Sequence, residues 1–347
     1  RQMCIRDRTT GDHRFVFEQT DGVKPIDLAM EDMFGKAPRT IMTDKTVEET
    51  YEDVTYDQTQ LDEYVERVLQ LEAVACKDWL TNKVDRSVTG KIARQQCQGE
   101  IQLPLSDCGV VALDYRGRAG IATSIGHAPQ AALVDPAAGS VLSIAEALTN
   151  IVWAPLSEGL DSVSLSANWM WPCKNEGEDA RLYRAVEACS DFACSLGINI
   201  PTGKDSLSMT QKYGKDKVYS PGTVIISAGA EVSDIRKVVS PVLRTGVNST
   251  IYYIDFSFDK LKLGGSAFAQ SLDKIGKEVP TVQDSEYFAN AFNAVQELVN
   301  KEFILAGHDI SAGGMITTML EMNFANTEGG LEVSLDEIPE KDLVKIL

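Results

Sequence analysis

CGVVALDYRGRAGIATSIG, Cys108–Gly126, holds two strand-like runs, CGVVALDY and GIATSIG. SVLSIAEALTNIVWA, Ser140–Ala154, follows and reads as a helix that is apolar on most faces. The alternation continues outward. Strand-like runs recur at VSLSANWM (163–170), GTVIISAGAEV (222–232) and STIYYIDFS (249–257). Helical periodicity marks 137–154, 178–196, 284–301 and 314–325, and LDEYVERVLQLEAVAC (61–76) precedes the first strand. Strands and helices are interspersed, so the class is α/β (α+β).

The 347 residues suffice for two or more domains, and 44% are hydrophobic, enough to build ordinary cores. The net charge of −18 argues against a general nucleic-acid binder, which presents a basic face. A phosphate ligand would have to be held by helix N-termini, single lysines or bridging cations. The seven cysteines include no CxxC pair, which points to a reducing, cytoplasmic setting. No apolar run approaches a membrane span, and the first residues lack the apolar core of a signal peptide.

Residues 1–8, RQMCIRDR, fit nothing that follows and are expected to be an artefact. Residues 36–62 are polar, rich in threonine and acidic, and read as a linker or extended surface segment. A boundary is expected near 238–248. The final DLVKIL reaches neither a helix cap nor a closing strand, so truncation is expected at both ends.

Several positions carry chemistry. Asp107 precedes a strand, where a carboxylate either ligates or caps a turn. Glu146 and Asn150 interrupt the apolar helix four residues apart, so they share a face one turn from each other. A buried glutamate needs a partner, and a carboxylate with an amide carbonyl offers hard oxygens suited to Mg²⁺. LAGHDISAGGM, Leu305–Met315, places Asp309, Ser311 and a glycine pair before a helix, an arrangement that holds phosphates and their metals. His308 beside it reads as structural. Lys77 can pair a phosphate as a point charge, although alone it reads as a surface lysine. PTGKDSLSM (201–209) fails the phosphate-loop pattern: the glycine spacing is wrong, and Asp205 stands where Ser or Thr is required.

DRSVTGKIARQQCQG, PLSDCGVVALDY, AEALTNI, LSANWM, GEDARLY, GKDSLSM and HDISAGG, in this order across residues 77–330, resemble the long-form phosphoribosylformylglycinamidine synthases. DGVKPIDLAMEDMFGKAPR (21–39) resembles the end of the preceding half of that enzyme. The resemblance implies ATP-dependent amidation of formylglycinamide ribonucleotide in purine synthesis, with ammonia from a separate glutaminase domain. It implies two similar halves, each like aminoimidazole ribonucleotide synthetase, with a sheet-pairing α/β domain followed by a C-terminal α/β domain. On that mapping, 9–60 are the tail of the first half plus linker, 61–240 the sheet-pairing domain, and 248–347 an incomplete C-terminal domain. Asp107, Glu146, Asn150 and Asp309 match the family's Mg²⁺ ligands. Ser106 and Ser311 match nucleotide contacts, and Lys77 a phosphate-contacting lysine. The family's catalytic histidine and glutaminase cysteine have no counterpart here. The implied cofactors are Mg²⁺ and ATP or ADP. The implied partners are the substrate, the first half and the glutaminase, without nucleic acid or membrane. Two other readings stand beside this one: a nucleotide- and Mg²⁺-holding structural module, and another ATP-dependent synthetase or kinase of the same fold group.

Overall fold

A computed structural model describes residues 9–35 and 39–347, so the expected artefact at 1–8 lies outside the described residues. The chain forms two compact units, Arg1–Thr43 and Asp44–Leu347. The first unit contains an antiparallel hairpin, Arg14–Phe17 with Ile26–Ala29, and a short helix, Met30–Phe34. None of its described residues is buried, so it has no core there. The boundaries expected near 61 and 238–248 both fall inside the second unit.

The second unit is built on a six-stranded sheet: β1 (Ile92–Arg94), β2 (Gly109–Ala112), β3 (Gly120–Gly126), β4 (Ser164–Met170), β5 (Asn199–Ser206) and β6 (Thr223–Val232). The spatial order is β1-β2-β3-β6-β4-β5, antiparallel except for the β4–β5 pair. Its helices include α1 (Leu61–Leu69), α2 (Pro136–Ile151), α3 (Glu178–Ser195), α4 (Ser285–Asn300) and α5 (Gly314–Phe324).

Period-two burial along β3 shows which face is covered: Gly120, Ala122, Ser124 and Gly126 are buried, while Ile121, Thr123 and Ile125 are exposed. Register carries that split across the sheet. Val110 pairs with Ala122 and Ala122 with Ala230, all on the buried side. Ile144, Ala147, Leu148 and Ile151 of α2 fill the core against them. Gly126 explains how closely α2 approaches: a Cβ there would lie 2.2 Å from the Ser143 carbonyl oxygen. On the opposite face Ile121 and Ile125 remain 46% and 60% exposed, an apolar surface left open among the described residues.

Local chemistry sets the helix ends. Asp135 accepts the Ala137 amide and Pro136 opens α2. Asp284 accepts the amides of Glu286 and Tyr287 at the start of α4. The α3 start lacks its own side-chain cap. Asp44, 133 residues upstream, supplies one by accepting the amides of Gly177 (3.2 Å) and Asp179 (3.1 Å). From Asp44 onward, the part of this polar stretch in the second unit is an extended strap fastened at intervals, with Tyr56 donating to Asp342 (2.6 Å) near its far end. Buried Gln296 of α4 donates to the carbonyls of Val152 and Ala154 and accepts the Leu156 amide, pinning the chain that leaves α2.

Two local expectations differ from the structure. STIYYIDFS (249–257) forms no strand, and Tyr252 is 80% exposed. β-Branched and aromatic composition suits a strand, but a strand exists only against a hydrogen-bonding neighbour. The α1 region is helical only to Leu69, and Tyr64 and Val68 are its buried positions.

Candidate functional site

Asp107 lies in the loop entering β2, Glu146 and Asn150 on α2, and His308, Asp309 and Ser311 in the turn before α5. The fold brings these three segments together. Ligand atoms of Asp107, His308 and Asp309 all lie within 4.8 Å of one another. Glu146 lines the same cavity as Asp107 and His308, with Asn150 and Ser311 beside it. A cavity of about 780 Å³ opens on the cluster, lined among others by Ser106, Asp107, Glu146, Asn150, His308 and Ser311.

The turn before α5 answers to its glycines. Gly314 adopts φ +74°, a left-handed conformation that favours glycine. A Cβ at Gly313 would meet the Thr317 hydroxyl at 2.3 Å. Thr318 Oγ1 donates to the Asp309 carbonyl (2.8 Å), so the backbone carrying Asp309 is held by the helix it precedes. The amide of Ala312 donates to Ser311 Oγ (2.6 Å), and that of Ile316 to the Leu347 carbonyl (3.2 Å).

The electrostatics are those of crowded, desolvated acids. Burial, then the negative charges of Asp107 and Glu146, push the Asp309 carboxyl well above the carboxylate range. Burial also raises Asp107, against the pull of His308. Burial and the charge of Asp107 lift Glu146 to about 7, although hydrogen bonds from Ser311 and Asn150 resist the rise. Burial alone would lower His308, but Asp107, Glu321 and Asp309 outweigh it and raise the imidazole to about 10.

The donor set fits a hard divalent cation. Asp309 Oδ2 is buried without any hydrogen-bond partner. Asn150 spends its amide nitrogen on the Ile125 carbonyl (3.0 Å), which leaves its oxygen for another donor or an ion. Both ring nitrogens of His308 meet carboxylates, Asp107 Oδ1 at 2.5 Å and Glu321 Oε2 at 2.9 Å. The remaining ligand atoms are oxygens, the preference of Mg²⁺ or Ca²⁺ over Zn²⁺.

Of the residues singled out in the sequence, Ser106, Asp107, Glu146, Asn150, Asp309 and Ser311 converge here. Ser106 Oγ is buried and unpartnered. Lys77 does not join them: its ammonium bonds the nearby Ala75 carbonyl, and it is not among the cavity-lining residues. Lys204 and Asp205 lie exposed on β5, with Gly203 so close to β4 that a Cβ would be 2.0 Å from the Ala167 oxygen. That glycine serves strand packing, in keeping with the failed phosphate-loop pattern. Two residues of the site escaped sequence reasoning, His308 as a central member and Glu321. Glu321 had a readable signal, since it is the one carboxylate within the apolar run MITTMLEMNF.

The FGAR-AT PurM_N-like domain family matches residues 76–231, which carry Asp107, Glu146 and Asn150. The chain is 39% identical over 325 residues to the human phosphoribosylformylglycinamidine synthase, covering 93% of this chain and 24% of the human protein. It is 42% identical over 292 residues to the probable Caenorhabditis elegans phosphoribosylformylglycinamidine synthase, covering 81% of this chain and 22% of that protein. It therefore spans about a quarter of the length of these curated relatives. Among solved structures, T. maritima PurL complexed with FGAR superimposes with a TM-score of 0.51 at 15% identity, over 76% of this chain and 38% of that one, and shares the fold. Over the segment it spans, the chain belongs to the phosphoribosylformylglycinamidine synthase family.

Proposed function

We propose that this chain is part of the synthetase core of an enzyme that amidates formylglycinamide ribonucleotide, using ATP and glutamine-derived ammonia in purine synthesis, and that its cavity binds a Mg²⁺–nucleotide. The carrying observation is that Asp107, Glu146 and Asn150 line a cavity large enough for a nucleotide, with Asp309 beside Asp107 and its Oδ2 buried and unpartnered. Two phosphoribosylformylglycinamidine synthases are about 40% identical to this chain over the stretch they share with it. In this reading, 61–240 form the sheet-pairing domain and 248–347 the beginning of the next domain.

Asp107, Glu146, Asp309 and the Asn150 carbonyl would hold the ion, which when bound neutralises phosphate charge and orients the nucleotide. Ser106 and Ser311 would donate to phosphate oxygens. Ser106 suits this because its hydroxyl is buried without a partner. The side chains of this segment thus bind and orient, while phosphoryl transfer from ATP to the substrate amide oxygen and displacement of that phosphate by ammonia use groups contributed by the rest of the enzyme. Such an arrangement supplies alignment, which accounts for about 7–11 kcal/mol of a barrier when complete. The uncovered sheet face around Ile121 and Ile125 is the surface on which the sheet of the other half would pair.

The test is equilibrium binding of ADP to the chain with and without Mg²⁺. The expected result is Mg²⁺-dependent binding that Asp107→Asn and Asp309→Asn abolish. ADP binding indifferent to Mg²⁺ and to both substitutions would refute the site. Ammonia-dependent ADP release is expected only when the chain is combined with the remainder of the synthetase.

A further inference from the structure

His308 has the geometry of a clamp. Its side chain is 7% exposed and lies between two elements, the loop bearing Asp107 and helix α5 bearing Glu321. Nδ1 stands 2.5 Å from Asp107 Oδ1, and Nε2 stands 2.9 Å from Glu321 Oε2. Asp309 Oδ1, its sequence neighbour, is farther at 3.7 Å, outside hydrogen-bond range. An ionised carboxylate only accepts, so a ring between two of them donates from both nitrogens.

The backbone around His308 is fixed on both sides. Gly307 donates its amide to the Ser240 carbonyl (3.1 Å) and lies flat on Trp153, where a Cβ would come within 2.1 Å of the indole ring. On the other side, Thr318 holds the Asp309 carbonyl. The imidazole therefore projects from an anchored point. It does not need to follow Asp107; Asp107 is held to it.

We infer that His308 is a positioning residue for the metal site: Nδ1 fixes the Asp107 carboxylate in its ligating orientation, and Glu321 fixes the ring from the opposite nitrogen. The inference rests on the Mg²⁺ site proposed above. It adds that ion affinity depends on a residue that does not itself ligate, and on a second carboxylate one step farther out. Groups that orient a metal ligand in this way typically govern about 10–100-fold of metal affinity.

The two nitrogens can be tested apart. The side-chain amide of Asn places a donor where Nδ1 stood, and that of Gln places one where Nε2 stood. Mn²⁺ affinity, read by the loss of the free-ion EPR signal on titration with protein, is expected to fall about 10–100-fold in His308→Ala. His308→Asn should recover most of that loss, and His308→Gln should recover little. Glu321→Ala, at a partly exposed position, should weaken Mn²⁺ binding by several-fold without lowering the melting temperature measured in EDTA. Wild-type affinity in all the His308 variants would overturn the inference, as would equal recovery by Asn and Gln. Asp107→Asn separates the two claims. If it leaves Mn²⁺ affinity unchanged, the metal site itself is wrong and the inference falls with it. If it abolishes binding while the His308 and Glu321 variants bind normally, the site stands and only the positioning role fails.

Discussion

Glu146→Gln should make the metal-free chain more stable, an unusual direction for a change at a buried position. Glu146 is lifted from an ordinary 4.5 to about 7, chiefly by burial and then by the negative charge of Asp107. Below about pH 4.5 the carboxyl is protonated whether folded or unfolded, so it contributes no difference. Between 4.5 and 7 the folded state binds more protons than the unfolded one, so stability declines as pH rises. Above 7 the penalty is complete, about 3 kcal/mol at roughly 1.4 kcal/mol per pH unit. A neutral amide of the same shape keeps the contacts with Ser311 and Asn150 and removes the penalty. At roughly 2 °C per kcal/mol for a body of this size, the variant should melt about 6 °C higher at pH 8 in EDTA. The gain should shrink toward zero at pH 4.5. Saturating Mg²⁺ should reverse the order at pH 8, because the ion stabilises only the wild-type site. Differential scanning fluorimetry across pH, with EDTA and with Mg²⁺, reads all three outcomes. A variant less stable than wild type at pH 8 in EDTA, or a difference independent of pH, would refute the account of a strained buried carboxylate.

Three further outcomes follow from the packing. Asp44→Ala should cost about 1 kcal/mol, the usual effect of losing an N-cap, measured by urea unfolding; Asp44→Asn should recover part of it. Gln296→Leu strips partners from the Leu156 amide and the Val152 and Ala154 carbonyls, all in the interior. Its expected cost is about 2–4 kcal/mol in the same assay. Gly126→Ala forces a methyl to within 2.2 Å of the Ser143 oxygen and should cost about 3 kcal/mol or more, with reduced expression as the first sign.

The parts of this structure that could be read from sequence are those whose cause is local. Alternation in GIATSIG identifies both faces of β3, and the apolar faces of SVLSIAEALTNIVWA identify a helix buried against them. Glu146 stood out because a carboxylate in such surroundings requires a partner. STIYYIDFS shows where local reading stops: its composition suits a strand, and no described strand lies beside it. The strap is another case. Its polar composition suggests an element with no core of its own, but the fastening of Asp44 to the start of α3 depends on a contact 133 residues away. His308 is the clearest case in the site. One of its partners, Asp107, lies 201 residues upstream, and the other, Glu321, lies 13 residues downstream. Nothing in HDISAGG distinguishes a structural histidine from one held between two carboxylates.

Charge explains why the site takes this form. The chain carries a net charge of −18, so its overall field repels nucleotides. Attraction must be built locally, yet four carboxylates, Asp107, Glu146, Asp309 and Glu321, gather at the cavity and deepen the repulsion there. Two devices make the gathering tolerable. A proton on Glu146, whose carboxyl is raised to about 7, serves below that pH when no ion is present, and the imidazole of His308 supplies a fixed positive charge between Asp107 and Glu321. A divalent cation can displace that proton but not the imidazole, which is anchored through its backbone. Ion binding should therefore release protons near neutral pH while leaving the histidine clamp in place, so that an ion is acquired by a site already oriented to receive it.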